Sequence, residues 1–224
     1  MSIPLTKLNE IDVQGKLILI ETISDIDQLF ENLLSKGEDH EDVRDERIPY
    51  WADLWPSSIA LSNYIIQKSI IQPGSKVLEI GCGVGLPGIV AGLHGAKVVF
   101  SDYIQEALDL AQKNWNLNTN LSAEFVRMDW REPDPAINAD VILASDIAYE
   151  QKSFDDLIKA FRVLLSPAGK IIIAEPNRAF SQSFFSDLNK EGFKLISETQ
   201  HMSFRGQNYN VHLHELELNM QLEN

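Results

Sequence analysis

"VLEIGCGVGLPG", residues 77–88, is the stretch on which the interpretation of the fold depends. A hydrophobic run is followed within a few positions by four glycines: Gly81, Gly83, Gly85 and Gly88. Glycine has no Cβ atom, so it reaches positive φ and lets a ligand approach the main chain, at a cost in folding entropy. The stretch therefore predicts a strand, a tight turn and a helix, with a binding site at the turn.

Downstream of this turn, short β-like runs alternate with helical patterns, which is typical of a parallel α/β sheet. The predicted strands are residues 76–80, 97–101, 123–127, 140–144 and 170–174. The predicted helices lie near residues 86–94, 105–116, 154–165 and 180–191. "SPAGK", residues 166–170, is interpreted as a helix stop followed by a turn.

The end of the chain breaks this alternation. "FKLISETQ" (193–200) and "VHLHELEL" (211–218) are both β-like, and no helical pattern lies in the connecting "HMSFRGQNYN". Strands joined in this way pair antiparallel, which places one reversed strand in an otherwise parallel sheet. We expect a Rossmann-like, three-layer α/β sandwich.

The segment before the core shows a strand pattern in "KLILIE" (16–21) and a helix pattern in "DIDQLFENLL" (25–34). Six acidic residues between Glu38 and Glu46 predict a solvated loop, and a docking surface for a basic partner is the alternative. We expect residues 1–47 to form an extension packed on a domain of residues 48–224.

Composition limits the possible functions. The 224 residues carry a net charge of −14, which disfavours a nucleic-acid partner and suits a cationic one. A single cysteine, Cys82, excludes an internal disulfide and a cysteine-built zinc site. We find no membrane-spanning run and no signal pattern at the start, so we expect a cytoplasmic, monomeric protein without a metal.

Two glycine registers fit a nucleotide ligand. One is E-x-G-x-G-x-G, beginning at Glu79, and the other is G-x-G-x-x-G, beginning at Gly83. Asp102, at the end of the next predicted strand, is placed to hold ribose hydroxyls in either case. The glycines alone leave open a dinucleotide, an adenosyl ligand and a tight strand-to-helix junction without a ligand.

Three features favour S-adenosylmethionine. Glu79 is placed either to organise the loop or to meet the cationic amino end of this ligand. The dinucleotide register leaves Gly81 and Cys82 as an unexplained insertion. Asp129, after the third predicted strand, is placed to accept a hydrogen bond from an adenine amino group, with Trp130 beside the ring or else in the core.

The acceptor side is predicted after the fourth strand of the alternation, where "SDIAY" supplies Ser145, Asp146 and Tyr149. Ligands lie outside the carboxyl ends of strands in open α/β sheets. Methyl transfer to an amine needs a nitrogen lone pair aimed along the S–CH3 axis, and alignment is most of that task. Asp146 would orient the amine and Tyr149 would supply a wall or a hydroxyl. The alternative is that Asp146 caps the helix near Ser153 or bonds a loop amide.

Other polar and aromatic residues are weaker candidates. In "PYWADLWPSSIAL", Trp51 and Trp55 either line the site or pack on the sheet. Asn177 and Arg178 are candidates for substrate contact by position alone. His212 and His214 share one strand face, and without a third ligand an ordinary strand surface is favoured over a metal pair.

These residues together resemble the seven-β-strand S-adenosylmethionine-dependent methyltransferases, and within them the D-x-x-Y group of protein-lysine methyltransferases. "PYWADLWPSSIAL" is similar to the P-Y-W-x-x-x-W-P segment of the branch that includes the electron-transfer-flavoprotein β-subunit enzyme. The resemblance covers roughly residues 48–218. It implies a mostly parallel seven-stranded sheet with an antiparallel C-terminal strand, and S-adenosylmethionine as the cofactor.

The resemblance also implies roles for individual residues. Asp146 and Tyr149 would be the acceptor motif. The implied cofactor contacts are Trp55, Glu79, Gly81, Cys82, Gly83, Gly85, Asp102, Tyr103, Asp129, Trp130 and Ser145. The expected activity is methyl transfer to a lysine of a protein. The alternatives are a small-molecule amine methyltransferase, a non-catalytic cofactor-binding module and a nicotinamide-dependent oxidoreductase.

Overall fold

A computed structural model describes residues 5–44, 47–176, 178 and 181–219 of the chain. Its strands are β1 (Thr6–Val13), β2 (Lys16–Ile23), β3 (Lys76–Ile80), β4 (Lys97–Asp102), β5 (Glu124–Arg127), β6 (Ala139–Ser145), β7 (Leu165–Glu175), β8 (Phe193–Phe204) and β9 (Gln207–Leu218). Its helices are α1 (Ile26–Leu34), α2 (Glu41–Arg44), α3 (Pro56–Gln67), α4 (Leu86–Leu93), α5 (Gln105–Asn118), α6 (Phe154–Leu164) and α7 (Ser181–Lys190).

Within these described residues the main sheet has seven strands in the order β5-β4-β3-β6-β7-β9-β8. β3 pairs parallel with β4 and β6, and β9 pairs antiparallel with both β7 and β8. The strand order reverses between β3 and β6, which is the place where open α/β sheets bind ligands. The mostly parallel Rossmann-like fold with one reversed C-terminal strand is thus confirmed.

Two hydrophobic cores cover the two faces of the sheet. One core joins the sheet to α3, α4 and α5 through residues such as Leu61, Ile89 and Trp115. The other joins it to α6 and α7 through Phe161 and Phe184. Both cores consist of side chains withdrawn almost completely from water. The central strands β3, β4, β6 and β7 are therefore largely buried, and their ends are fixed in position.

Two local predictions were wrong, and a third was right in part. The helix stop predicted at "SPAGK" is confirmed, because α6 ends at Leu164. The segment belongs to β7, but residues 166–169 lie between the paired Leu165 and Lys170, and Ala168 has positive φ, so the strand start is irregular. The predicted loop "HMSFRGQNYN" is mostly paired strand, and Arg205 and Gly206 at its centre form the turn with positive φ. Part of the acidic loop is the short helix α2.

Strand β1 and helix α3 were not predicted. β1 pairs antiparallel with β2 in a separate two-stranded sheet, turning at Gln14 and Gly15. Three of its eight residues are charged, which weakens the strand pattern. α3 begins at Pro56, a favoured first helical position, but nine of its residues are buried and it therefore lacks a clear polar face.

The β1–β2 hairpin is attached to α5 by two asparagine side chains. Asn118 bonds both the N–H (2.9 Å) and the carbonyl (2.7 Å) of Leu19. Asn114 does the same with Glu21, at 2.7 and 3.0 Å, and also donates to the carbonyl of Val84 in the glycine turn at 3.0 Å. These side chains satisfy an edge of β2 that would otherwise be unpaired. The hairpin is therefore bonded to the core next to the predicted site.

Helices long and apolar enough to cross a bilayer are not found among the described residues.

Candidate active site

The glycine turn connects β3 to α4 and has the backbone shape that its sequence predicts. Gly81, Gly83 and Gly85 all have positive φ, at 62°, 51° and 81°. A Cβ on Gly83 would lie 3.3 Å from the carbonyl oxygen of Trp51, so this position is also closely approached by another segment. Other side chains would strain this turn, which therefore presents bare main chain at the end of β3.

Glu79 lies beneath the start of α4 and organises the turn. Its side chain is 1% exposed, and Oε2 accepts a hydrogen bond of 2.8 Å from the N–H of Gly88. Burial raises the pKa of Glu79 to about 8 despite that hydrogen bond, and Oε1 has no hydrogen-bond partner. These contacts are those of the loop-organising alternative, and contact with the ligand stays a prediction.

Gly88 is required for packing. A Cβ there would lie 2.4 Å from a ring carbon of Phe100 on β4 and 2.6 Å from Oε2 of Glu79. The fourth glycine thus allows α4 to lie close against the sheet, which is the role of the last glycine in the G-x-G-x-x-G register.

Asp102 ends β4 beside the turn. Its Oδ2 accepts from the N–H of Gly83 and its Oδ1 from the N–H of Ile104, both at 3.0 Å. Burial raises the pKa of Asp102, and the two amide donors oppose that rise. Each carboxylate oxygen has a second lone pair, so the group retains acceptor capacity for hydroxyls. Asp102 therefore lies where the ribose acid was predicted.

Tyr103 is surrounded by cationic side chains. The guanidinium of Arg47 lies 4.3 Å from the ring centroid and also bonds the phenol oxygen, and those of Arg127 and Arg131 lie 5.6 and 5.5 Å from the centroid. Arg47 also pairs with Asp42 of α2. The segment that follows the acidic stretch therefore covers Tyr103, a contact that the sequence did not indicate.

Asp129 and Trp130 follow β5 on the same side of the site. The Asp129 carboxylate pairs with Arg131 at 2.7 Å and accepts the Arg131 N–H at 2.9 Å. Burial alone would raise the pKa of Asp129, but the bonds from Arg131 outweigh it and hold the pKa below its usual value. Trp130 is half-buried, with Cζ3 3.5 Å from the place that a Cβ on Gly81 would take. It therefore flanks the glycine turn while packing on the core.

Asp146 lies directly after Ser145 at the end of β6, where the acceptor side is predicted. It has a left-handed backbone, φ 57°, and its N–H donates to the carbonyl of Ala174 at 2.8 Å. Its side chain is 11% exposed and accepts a hydrogen bond from the guanidinium of Arg178. Burial raises the pKa of Asp146, and Arg178 opposes that rise. The helix-cap alternative is wrong, because the N-cap of α6 is Ser153 and the Asp146 carboxylate pairs with Arg178.

Tyr149 belongs to a group of exposed aromatic rings. Its ring centroid lies 5.8 Å from that of Tyr50, which in turn lies 5.8 Å from that of Trp55, both in edge-to-face geometry. The Trp55 indole donates to the carbonyl of Tyr50 at 2.8 Å, which fixes the group. We call Tyr50, Trp55 and Tyr149 the aromatic rim. Tyr50 was missed as a site residue, although "PYW" placed it beside the tryptophans that were considered.

Trp51 and Ser57 lie on the inner side of the same segment. Trp51 is half-buried against the first core, as its packing alternative predicts. Ser57, in the first turn of α3, is 1% exposed and its hydroxyl has no hydrogen-bond partner. An unpartnered buried hydroxyl next to the segment that touches Gly83 is a polar group available to a ligand.

The remaining candidates are explained by packing. Cys82 is 5% exposed, and burial raises the pKa of its thiol well above the ordinary value, so it is an inert packing residue. His214 stacks on Phe185 and bonds Ser197, and His212 lies near Thr199. Groups of three or more metal-ligating side chains are not found in the described part of the chain. Asn177 lies outside the described residues.

Comparison with known proteins identifies the family. Residues 43–191 match a family model described as "Lysine methyltransferase", which is more than half of the chain. The chain belongs to the lysine methyltransferase family. Its members are S-adenosylmethionine-dependent methyltransferases. The matched residues include the glycine turn, Asp102 and the segment from Asp146 to Tyr149.

Curated relatives differ in the side chain that their names specify. The chain is 38% identical to a histidine protein methyltransferase 1 homolog of Dictyostelium discoideum, over 57% of the chain and 43% of that protein. It is 30% identical to the histone-arginine methyltransferase METTL23 of Xenopus laevis, over 62% of the chain and 64% of that protein. It is 33% identical to the electron transfer flavoprotein beta subunit lysine methyltransferase of Danio rerio, over 58% and 51%. The matches thus span about half to two thirds of these relatives.

Solved structures share the fold. Magnesium protoporphyrin IX methyltransferase from Synechocystis with bound SAM aligns with a TM-score of 0.57 and 20% identity, over 86% of the chain and 91% of that protein. Ribosomal protein L11 methylase from Lactobacillus delbrueckii aligns with a TM-score of 0.60 and 20% identity, over 75% and 81%.

The residues at the site fit an adenosyl cofactor. The positive-φ turn, the buried carboxylate of Asp102 and the unpartnered hydroxyl of Ser57 supply the bare main chain and polar groups that such a ligand needs. Gly81, Gly83 and Asp102 would hold it, with Trp130 beside the turn. When bound, S-adenosylmethionine supplies a methyl group activated by a sulfonium centre.

Proposed function

We propose that the protein is an S-adenosylmethionine-dependent methyltransferase that methylates a lysine side chain of another protein. The observation that carries the proposal is the position of Asp146: a buried carboxylate that binds a cation, one strand away from the glycine turn. The matched family model and the protein substrates in the names of its relatives support it. The cytoplasmic location and the monomeric state stay predictions.

The chemistry of the acceptor side follows from charge and alignment. Asp146 accepts a hydrogen bond from the incoming nitrogen, attracts its charged form and fixes its direction. Reaction requires the neutral amine, so the ammonium loses a proton to water before the N–CH3 bond forms and the S–CH3 bond of the cofactor breaks. The orientation of the nitrogen lone pair is what the carboxylate controls. The aromatic rim lies at the solvent side, where ring faces contact the alkyl stem of a long cationic side chain.

The other candidate functions predict different products. A histidine or arginine acceptor would give methylhistidine or methylarginine, and a small amine would give no labelled protein. A nicotinamide-dependent oxidoreductase is not what the family match supports. A cofactor-binding module would bind the ligand without turnover.

The proposal is tested with the purified protein, methyl-tritiated S-adenosylmethionine and a cell lysate. We expect a labelled protein band whose acid hydrolysate contains methyllysine. Asp146→Asn, which keeps the shape of the side chain but not its charge, is the matched control and should give no band. Label in methylhistidine or methylarginine alone would replace lysine as the acceptor, and cofactor binding without label in any fraction would contradict an enzyme.

A further inference from the structure

Arg178 covers the carboxylate that the proposed function assigns to the acceptor. Its guanidinium contacts Asp146 through Nη1 on Oδ1, and its side chain is 30% exposed whereas that of Asp146 is 11% exposed. The cation therefore lies on the solvent side of the pair. A second cation that approaches Asp146 from solvent meets Arg178 first.

The backbone of Arg178 is held independently of this contact. Its N–H donates to Oε2 of Glu175 at 3.1 Å, and its carbonyl accepts from the Ser181 hydroxyl at 2.7 Å. Glu175 is 2% exposed and lies 3.6 Å from the His214 ring. Burial alone would raise the pKa of Glu175, but the nearby His214 ring, the Ser181 hydroxyl and the Arg178 N–H outweigh it and keep the pKa below its usual value. The long side chain of Arg178 can therefore leave Asp146 while its main chain stays fixed.

Charge balance explains why a cation is held at this place. Asp146 and Glu175 are two carboxyl groups in largely buried surroundings, and an uncompensated buried carboxylate is strongly destabilising. A cationic acceptor that replaces the guanidinium leaves the net charge of the site unchanged. If Arg178 stayed in place, a cationic acceptor would have to lose its water beside another cation, which is costly. Displacing Arg178 avoids that cost.

We propose that Arg178 is an internal stand-in for the acceptor, and that the cationic side chain of the substrate binds Asp146 by displacing it. This inference rests on the proposed function, because it assigns the acceptor to Asp146. It makes Arg178 a specificity-determining residue: only a side chain that competes with a guanidinium for a carboxylate gains entry, which selects cationic over neutral acceptors.

The test measures binding of n-butylammonium, which has the alkyl stem and charged end of lysine, to the protein saturated with S-adenosylhomocysteine. The titration is followed by saturation-transfer NMR at pH 8, above the ordinary pKa of a carboxyl and below that of an alkylamine. We expect Arg178→Ala to bind the probe about tenfold more tightly than the unaltered protein. Arg178→Gln, which keeps most of the side-chain length but not the charge, should also bind the probe more tightly. Arg162→Ala, which removes another surface arginine, should leave the affinity for the probe unchanged.

A second probe asks whether the vacated position accepts a guanidinium. Methylguanidinium should compete with n-butylammonium in Arg178→Ala and have little effect in the unaltered protein. Adding Asp146→Asn to Arg178→Ala should abolish binding of both probes.

Equal or weaker binding of n-butylammonium in both Arg178 variants overturns the exchange, because it would mean that Arg178 and the acceptor bind Asp146 together or at separate places. Failure of the unaltered protein to bind S-adenosylhomocysteine, measured by calorimetry on the same preparation, would instead contradict the proposed function. The two failures are therefore distinguishable.

Discussion

The two halves of the site are built by different means. At the ends of β3 and β4, the glycine turn and Asp102 are joined by hydrogen bonds from main-chain amides, within regular elements close in sequence. At the ends of β6 and β7, Asp146 has a strained left-handed backbone, and its partner Arg178 is 32 residues away. The first half is rigid and specified locally, whereas the second depends on side chains that can exchange partners. A ligand common to many proteins suits the first, and a varied substrate suits the second.

The largest effect is expected at the acceptor half. Asp146→Ala should reduce methyl transfer by about 10²-fold or more, because it removes a group that orients the reacting nitrogen. Affinity for S-adenosylmethionine should stay within a few-fold, since the glycine turn does not use Asp146. Turnover and calorimetry on one preparation measure both quantities. A parallel loss of cofactor affinity would mean that the two halves are not separable.

A smaller effect concerns stability in the cofactor half. The folded-state pKa of Glu79, about 8, lies above its ordinary value of 4.5, so the folded protein binds this proton more tightly than the unfolded chain does. The free energy of unfolding should therefore fall as pH rises from about 4.5 to about 8, by on the order of a few kcal/mol.

Glu79→Gln should largely remove that slope, because an amide oxygen still accepts the Gly88 N–H without titrating. Urea unfolding at pH 5 and pH 8 measures it, with Glu124→Gln on an exposed part of β5 as the control. An unchanged slope in Glu79→Gln would show that the slope arises elsewhere, with the raised pKa of Asp102 as the next source.

Next in size is the effect of Asp102→Asn on cofactor affinity. The amide has one acceptor oxygen, so one of the two main-chain N–H groups at Gly83 and Ile104 loses its partner and hydroxyl binding weakens. We expect affinity for S-adenosylmethionine to fall about tenfold or more. Calorimetry checks this against Asp109→Asn on the exposed face of α5. Unaltered affinity would remove Asp102 from the cofactor half.

The smallest effect is expected for Tyr149→Phe, within about threefold in turnover. Tyr149 is 37% exposed, and its partial burial, together with nearby carboxylates, raises its pKa to about 12. Its phenol is therefore neutral and does not take a proton from the amine. Its ring contributes by contact with Tyr50. Tyr149→Ala should therefore lower turnover more than Tyr149→Phe does, and a large loss in Tyr149→Phe would assign a role to the hydroxyl instead.

The cofactor half was predictable because its signals are local. Positive φ at Gly81, Gly83 and Gly85 follows from their residue type, and the hydrophobic runs before Gly81 and Asp102 indicate buried parallel strands. For Glu79 the sequence left two alternatives, organising the loop or contacting the ligand, and its bond with Gly88 corresponds to the first. Spacing alone does not distinguish them, because a carboxylate two residues before the turn points either under the helix or toward the ligand.

The acceptor half was predictable only in position. The end of β6 placed Asp146 at the site, but its pairing with Arg178 depends on the parallel register of β6 and β7, which brings Ser145 opposite Ala174. The contact of Arg47 with Tyr103 joins residues 56 positions apart in the chain. Both involve partly buried side chains whose partners are far away in sequence, so no periodic pattern reports them.

The side-chain amide of Asn114 connects the β1–β2 hairpin to the glycine turn. One side chain closes the edge of β2 and at the same time supports the carbonyl of Val84, between the second and third glycines of the turn. A shortened chain that begins after Ile23 would free this amide to rotate, and the turn would lose a fixed support on its outer side. Removing the hairpin to leave only the sheet and its flanking helices would therefore also change the glycine turn.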